Sequence, residues 1–379
     1  MKTIKSIFNP WGQRLLKVAL IALLFVPFSL LLSAARSPDD APPMLALARK
    51  SQLAQGNAIT SPKAILRYAL PIDNEPVRKL QDSLEEISEF LRNRRWSPIG
   101  RNISRASRLV NSPEKILASI PPERQPRAEQ LLDELKDGVA QIREAVEAQD
   151  KEAVWIERGE MLDRVGELEQ LMVVGFPFEI PEEYANLPQL KGRATVEMDT
   201  NKGKVTIVVD GYRAPINAGN FVDLVERGFY EGLEFLPSQD FVVQVGDPPG
   251  AETGFIDPKT KEYRAIPLEV SIQGEDDPIY EMTLEDAGLY LEPLALPFSA
   301  YGALALARPA DDPNGGSSQV FFFLFDTELT PPGFNLLDGR YSVFGYVVEG
   351  KEVLAQLETG DRVNSAKVVA GIENLVQPH

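Results

Sequence analysis

The first half of the chain carries apolar residues at every third or fourth position, the period of a helix with one buried face. Ser61 with Pro62, and Asn74 with Pro76, each place a capping side chain before a proline of the first helical turn. The apolar stripe that follows Asn74 consists of Val77, Leu80, Leu84, Ile87 and Leu91. The pattern therefore predicts that amphipathic helices begin at these two positions.

Two longer amphipathic helices follow, one from about Pro126 to Ala148 and a second after the turn sequence EAQDKEA. Their stripes could form zippers, but they are too short for sustained heptads, which favours an antiparallel bundle. We predict a helical bundle domain over residues 61–174. Residues 175–191 are rich in proline and lose the helical period, so we predict a linker there.

Beyond Gly192 the pattern changes to the alternation of short strands. ATVEMDTNKGKVTIVVDG predicts a hairpin whose turn contains Asn201, Lys202 and Gly203, and NAGNFVDLVERGFY predicts one amphipathic helix. Several later strands and one further helix suggest a closed antiparallel β-barrel, because closure removes exposed strand edges. The predicted fold class is therefore multidomain α+β.

The segment FVVQVGD, from Phe241 to Asp247, is predicted to be a strand with one buried face. Alternation places Gln244 on the face opposite that of Phe241. An amide among valines needs a hydrogen-bonding reason, so Gln244 is a candidate binding residue.

The formal net charge of −17 disfavours binding to nucleic acid and to anionic membrane surfaces, which requires a surplus of cations at the contact. The chain has no cysteine, and its one histidine is His379 at the chain end. Histidine-based triads, thiolate sites and histidine metal clusters are thereby excluded. No cofactor and no metal are expected.

The N-terminal residues have the charged, apolar and small-residue order of a secretory signal. We predict a signal peptide over residues 1–35, cleaved near Ala35, and a flexible lead over residues 36–60. An uncleaved anchor is the alternative, although the apolar run is short for a membrane span. Either interpretation predicts an exported protein.

Several separated stretches, INAGNFVDLVERGFYEGLEF, FVVQVGD, GALALAR, GSSQVFFFL and LLDGRYSVFGYVVEG, resemble the cyclophilin domain in order and spacing over residues 192–376. With the signal, the helical domain and an insertion at about residues 249–297, the whole chain resembles the large thylakoid-lumen cyclophilin of chloroplasts and cyanobacteria. This resemblance implies an eight-stranded barrel capped by two helices, and a role in photosystem II assembly or maintenance. It also implies the thylakoid lumen as location, with the periplasm as the alternative.

Cyclophilins isomerise the peptide bond before proline by holding the proline in an apolar pocket while an arginine donates to the prolyl nitrogen. Such catalysis requires neither a histidine base nor a nucleophile, although the uncatalysed barrier is about 18 to 20 kcal/mol. The resemblance assigns substrate binding to Phe241, Val242, Gln244, Leu306, Ala307, Arg308, Phe321, Leu336 and Tyr341. The two phenylalanines could instead be ordinary barrel core.

This sequence departs from the family pattern at the catalytic position, where the arginine is replaced by Pro237. Arg308 is a possible substitute. Leu336 replaces the tryptophan that binds cyclosporin, and Tyr341 replaces a histidine. Because losing one donor to a transition state costs about a hundredfold to a thousandfold in rate, we expect weak or negligible isomerase activity.

Three functional hypotheses follow from these observations. The first is a chaperone or assembly factor that binds proline-containing protein segments with little turnover, and the second is an active isomerase with another donor. The third makes the helical domain the functional part, binding an acidic partner through Arg92, Arg94, Arg95, Arg101, Arg105 and Arg108. A solvated face or internal pairing is the simpler interpretation of these arginines. The helical domain or the linker is further predicted to cover the barrel groove.

Overall fold

The computed structural model describes residues 59–238, 241–325 and 335–378, with only the backbone of Pro237 and Ser238. The predicted signal segment, most of the predicted lead and His379 lie outside these ranges. Within these ranges, no helix combines the length and apolar character needed to cross a membrane.

Seven helices of the described chain precede the sheet. They are α1 Pro62–Ala69, α2 Glu75–Glu85, α3 Ile87–Arg92, α4 Trp96–Val110, α5 Glu114–Leu117, α6 Gln125–Glu147 and α7 Lys151–Met172. The apolar stripes of α2 to α7 meet in one buried core. The side chain of Asn74 caps α2 by accepting from Val77 N at 2.9 Å, and Asp150 caps α7.

The helix predicted after Asn74 is divided at Glu86 into α2 and α3. Arg158 of α7 explains the division, because its guanidinium donates hydrogen bonds to the carbonyls of Leu84 and Glu85 at 2.8 and 3.2 Å. Ser88 also donates to the carbonyl of Glu85 at 2.9 Å. Side chains that bond to these carbonyls compete with the helical hydrogen-bond pattern.

In the described part of the second half, the strands form one large sheet and two small ones. The strands are β1 Gln189–Leu190, β2 Arg193–Thr200, β3 Gly203–Asp210, β4 Leu236–Ser238, β5 Val242–Val245, β6 Glu269–Val270, β7 Ile279–Tyr280, β8 Ala303–Leu306, β9 Val320–Phe323, β10 Val343–Glu349, β11 Val363–Ala370 and β12 Leu375–Val376. The large sheet has the order β11-β2-β3-β10-β8-β9-β5-β4, while β1 pairs with β12 and β6 with β7. The hairpin predicted around Gly203 is β2 and β3, in register from Thr200 and Gly203 to Arg193 and Asp210.

The prediction of a closed barrel is wrong for this sheet, which is open with β4 and β11 as its edge strands. The two edges approach each other through an isolated bridge between Glu234 and Arg362, supported by backbone hydrogen bonds of residues 232–235 to residues 361–363. The contact lies just before β4, so it satisfies a few backbone groups without pairing the two edge strands. The sheet therefore curves as a partial barrel.

The two faces of the curved sheet bury different sets of residues. The inner face packs on helix α8, Pro215–Glu226, and includes Val243, Leu304 and Phe322. A second, short helix α9, Lys351–Leu354, packs near β3. The outer face packs partly on α1, so the helical region and the sheet share one buried apolar cluster.

Candidate functional site

The candidate site begins with a row of side chains across three strands on the outer face of the sheet. Gln244 of β5 is paired in register with Phe321 of β9, which is paired in turn with Ala305 of β8. Residues directly opposite in antiparallel strands point to the same face. The sheet thus places the predicted residues Gln244 and Phe321 side by side.

Phe321 is the apolar floor of this site and is only 6% exposed. Its ring stacks on Phe298 at a centroid distance of 5.9 Å and meets Tyr341 edge-on at 5.4 Å. Phe298 is held from both sides, because Asp338 accepts from its amide at 2.8 Å and Tyr346 donates to the preceding carbonyl, that of Pro297, at 2.8 Å. The floor is therefore a fixed aromatic surface.

Gln244 is oriented by a chain of hydrogen bonds. Its Nε2 donates to Gln319 Oε1, while Gln319 Nε2 donates to Asp247 Oδ1 at 3.0 Å and to the carbonyl of Thr253 at 2.6 Å. Oε1 of Gln244 has no partner within the described ranges. An amide whose nitrogen is anchored presents its oxygen as an acceptor for a peptide N–H.

Pro237 lies in β4, where its backbone pairs with Val243 of β5. Proline has no backbone N–H and no polar side-chain atom. Leu236 is the β4 residue paired with Gln244, and neither leucine nor proline carries a side-chain hydrogen-bond donor for a ligand.

The guanidinium of Arg308 is occupied by backbone carbonyls. Nε and Nη2 donate to the carbonyl of Arg340 at 3.0 and 2.7 Å, and Nη1 donates to that of Pro309 at 2.8 Å. The same group lies 5.0 Å from the centroid of the Tyr341 ring. These contacts make Arg308 a brace between two loops, and it would have to leave them in order to act as a donor to substrate.

Two of the predicted binding residues are exposed. Phe241 is 46% exposed and contacts Phe325 edge-on at 4.9 Å, and Leu336 is 89% exposed. Val242 and Ala307 are partly buried beside the apolar cluster of the outer face. The predicted alternation fails at Phe241, because that residue precedes β5 and is not on the buried face that Val243 and Val245 form.

Leu306 does not join the pocket wall that the resemblance implied. It is paired with Val320 of β9, and both side chains belong to the inner core, on the face opposite that of Phe321. The strand alternation of β8 explains this, because Ala305 and Ala307 take the outer positions. Leu306 therefore packs in the core on the inner face of the sheet.

Helix α1 lies on the same outer face as the candidate site. Ile65, Leu66 and Ala69 share a buried cluster with Phe321, Phe323 and other residues of the sheet. The last carbonyls of α1 accept from three arginines: Leu66 O from Arg193, Arg67 O and Leu70 O from Arg78, and Ala69 O from Arg213. Cations at the C-terminus of a helix also oppose its dipole favourably.

Comparison with known proteins decides the family. A cyclophilin type peptidyl-prolyl cis-trans isomerase domain matches residues 195–374, and a CYP38-like, PsbQ-like domain matches residues 61–173. The chain is 61% identical over 378 residues to the Synechocystis protein sll0408, covering 99% of each chain. The chain belongs to the cyclophilin family. Its helical region is a CYP38-like, PsbQ-like domain.

The Synechocystis relative is named, provisionally, a thylakoid lumen peptidyl-prolyl cis-trans isomerase. The chloroplastic isomerase CYP38 of Arabidopsis thaliana is 44% identical over 343 residues, which are 86% of this chain and 78% of the relative. Among solved structures, a Cryptosporidium parvum cyclophilin matches with a TM-score of 0.32 and 18% identity, covering 47% of this chain and 98% of its own.

Three residues of this cyclophilin site were missed by the sequence analysis. Gln319 lies in the quoted stretch GSSQVFFFL, and its polar side chain next to a buried strand was an available signal. Phe298 lies in the sequence that joins the insertion to β8, where no periodic pattern marks it. Asp338 positions Phe298, and burial raises the pKa of its carboxyl while bonds from Phe298 N and Asn335 N oppose that rise.

Proposed function

We propose that this cyclophilin binds proline-containing segments of other exported proteins and turns them over weakly or not at all. The observation that carries the proposal is that Gln244 and Phe321 lie side by side in register, while Pro237 occupies the position to which the resemblance assigns the catalytic arginine. The row offers an amide acceptor and an aromatic floor. Pro237 offers no donor to the prolyl nitrogen.

The chemistry of the reaction allows a site to bind a proline-containing segment without isomerising it rapidly. Binding needs apolar contact with the proline ring and a hydrogen bond to the peptide backbone, whereas rate enhancement needs an interaction that is stronger in the transition state. A donor to the prolyl nitrogen is such an interaction, because it weakens the amide resonance that creates the barrier. A site that lacks this donor retains the ground-state contacts.

The biological setting that we propose is the assembly or maintenance of photosystem II in the thylakoid lumen. The names of the two relatives described above, one of the thylakoid lumen and one chloroplastic, support the location. The resemblance of the whole chain to the large lumenal cyclophilin supports the process. We propose that the bound segments are proline-containing loops of photosystem II subunits, and that the signal segment delivers the protein.

The proposal is tested with the full mature chain and a fluorescent Ala-Pro peptide. We expect saturable binding by fluorescence anisotropy, together with an isomerisation rate close to the uncatalysed one in a protease-coupled assay. Turnover at the level of an active cyclophilin would overturn the proposal and support an isomerase with another donor. Absence of peptide binding would overturn it in favour of a scaffold role for the helical region.

The photosystem II setting needs its own test. Synthetic lumenal loops of photosystem II subunits are presented in pairs, with the native proline and with alanine in its place. We expect the protein to bind loops that contain the proline and to bind the alanine versions more weakly. Equal binding of both versions, or binding of neither, would contradict this part of the proposal.

A further inference from the structure

Helix α4 presents a basic surface that the cyclophilin site does not use. Arg101, Arg105 and Arg108 follow one another at intervals of four and three residues, so they lie along one face of the helix. All three side chains are exposed. Arg92, Arg94 and Arg95 also belong to the predicted arginine cluster, but they precede the helix.

The face forms a shallow, open depression. Ser97, Gly100, Arg101, Ser104, Arg105 and Arg108 line a groove of about 430 Å³. An adjoining groove of about 550 Å³ shares Arg105 and Arg108 and adds Lys79 and Lys115, together with Asp73, Glu75 and Leu109. We name the two together the α4 groove. It contains five cations and two carboxylates, of which Glu75 pairs with Lys79 at 2.7 Å, and two apolar side chains, Pro76 and Leu109.

The arginines of the α4 groove have few partners within the described part of the chain. Arg108 makes no ion pair there, Arg101 donates to Ser97 Oγ at 3.2 Å, and Arg105 reaches Glu86 only at 3.5 Å between two half-exposed side chains. Some arginines of the bundle are closely paired with carboxylates, as in Arg158 with Glu85 at 2.7 Å, whereas Arg92, Arg94 and Arg95 make no ion pair within the described part of the chain. The groove therefore retains its capacity to bind anions.

From this contrast we propose that the α4 groove binds an acidic segment of a partner protein. Guanidinium groups form paired hydrogen bonds with carboxylates, which suits glutamate and aspartate side chains. From residue 97 to residue 108 the helix rises about 16 Å, which an extended segment of about five residues spans. Leu109 at the edge provides a contact for one apolar residue of that segment.

The shape and charge of the surroundings favour a peptide over an anionic bilayer. A bilayer is a plane, and it would bring its charge near the rest of a chain whose formal net charge is −17. A peptide needs to approach only the groove, where the cations outnumber Asp73 and Glu75. The proposal does not depend on the proline site, which lies on the sheet.

The test uses the full mature chain and a fluorescein-labelled six-residue peptide with four glutamates and two leucines. We expect saturable binding that weakens as salt is added, and no binding of the same peptide with glutamine in place of glutamate. The triple variant Arg101→Glu, Arg105→Glu, Arg108→Glu should bind about tenfold more weakly or worse. Because these side chains are exposed, the triple variant should keep the fold. A melting temperature equal to that of the unsubstituted protein checks this.

The matched control is the triple variant Arg92→Glu, Arg94→Glu, Arg95→Glu, which changes the net charge by the same amount outside the groove. We expect it to retain most of the binding, and an equal loss would overturn the proposal by showing a general charge effect. The further variant Arg101→Lys, Arg105→Lys, Arg108→Lys retains the charge but loses the guanidinium geometry, and we expect it to bind with intermediate affinity. Binding to phosphatidylglycerol vesicles without binding to the glutamate peptide would assign the groove to a membrane and overturn the proposal.

Discussion

The outer face of the sheet has two halves that are used differently. In the covered half, Phe323 and Tyr346 are buried in the cluster that includes Ile65, Leu66 and Ala69 of α1. In the open half, Gln244 lies beside Phe321, and the exposed Phe241 comes just before β5. Phe321 lies between the two. One face of one sheet therefore serves both as an interface with the helical region and as a candidate binding surface.

The difference shows that apolar residues at strand spacing can belong either to a buried core or to a binding site. Phe321 and Phe323 come from the same short strand, yet Phe321 also contacts Tyr341 at the site while Phe323 packs on Phe298. The neighbours that other parts of the chain supply determine the use of each ring. Substitutions in each half should consequently separate stability from binding.

The largest expected effect is on stability in the covered half. Leu66→Ala should lower the free energy of unfolding by about 2 to 5 kcal/mol, because it removes buried methyl groups and leaves a cavity. The same substitution at the exposed Leu336, outside the sheet, should change it by less than about 0.5 kcal/mol. Urea unfolding of both variants measures the difference. Similar losses in the two variants would contradict the role of Leu66 in the buried cluster.

Two buried carboxylates should make stability depend on pH. Burial raises the pKa of Glu169 in α7 to about 7 against the charge of Arg78, and burial raises the pKa of Glu269 in β6 to about 7 against bonds from Ile216 and Asn217. Because the pKa in the folded state is raised, each protonated carboxyl makes its full contribution to folding stability below the unfolded pKa of 4.5. That contribution is lost as the pH rises through the folded pKa of about 7. The unfolding free energy should fall by about 3 kcal/mol per carboxylate over this window.

Glu169→Gln and Glu269→Gln are the variants that check this pH dependence. Each should flatten the fall between pH 4.5 and pH 7 in urea unfolding, because the substituted side chain no longer ionises. A pH profile that is identical to that of the unsubstituted protein would exclude that carboxylate as its source.

A smaller effect is expected in the open half at Gln244. Gln244→Ala should weaken Ala-Pro peptide binding by about tenfold, the value of one or two hydrogen bonds, without changing the unfolding free energy by more than about 0.5 kcal/mol. Gln319→Ala should reproduce part of the loss, because Gln319 orients the amide of Gln244. Anisotropy titrations give the affinities. If Gln244→Ala binds like the unsubstituted protein, the open half is not the peptide site.

The smallest effect is expected at Arg308. Arg308→Lys should leave the slow isomerisation rate unchanged within error, because the guanidinium is occupied by the carbonyls of Arg340 and Pro309. The alternative of an active isomerase with Arg308 as donor predicts a large loss of rate. The protease-coupled assay separates the two.

Local patterns predicted the helices and the β2–β3 hairpin, because these depend on periodicity. The family resemblance, which rests on the order of motifs, implied that Gln244 and Phe321 belong to one site. Three features lay beyond local patterns. The placement of Leu306 depends on strand phase within β8, the packing of Phe298 on Phe321 depends on a contact between distant segments, and the open sheet depends on where its edges meet. Contacts between segments far apart in the chain have no signature in either segment alone.

The measurement that tests the central claim most directly compares the isomerisation rate of the full chain with that of its Pro237→Arg variant on an Ala-Pro peptide. We expect the variant to gain about a hundredfold, because it restores the donor that the family resemblance assigns to position 237. The double variant Pro237→Arg with Gln244→Ala should lose most of that gain. An already fast unsubstituted protein, or a folded variant that binds peptide without any gain in rate, would contradict the account.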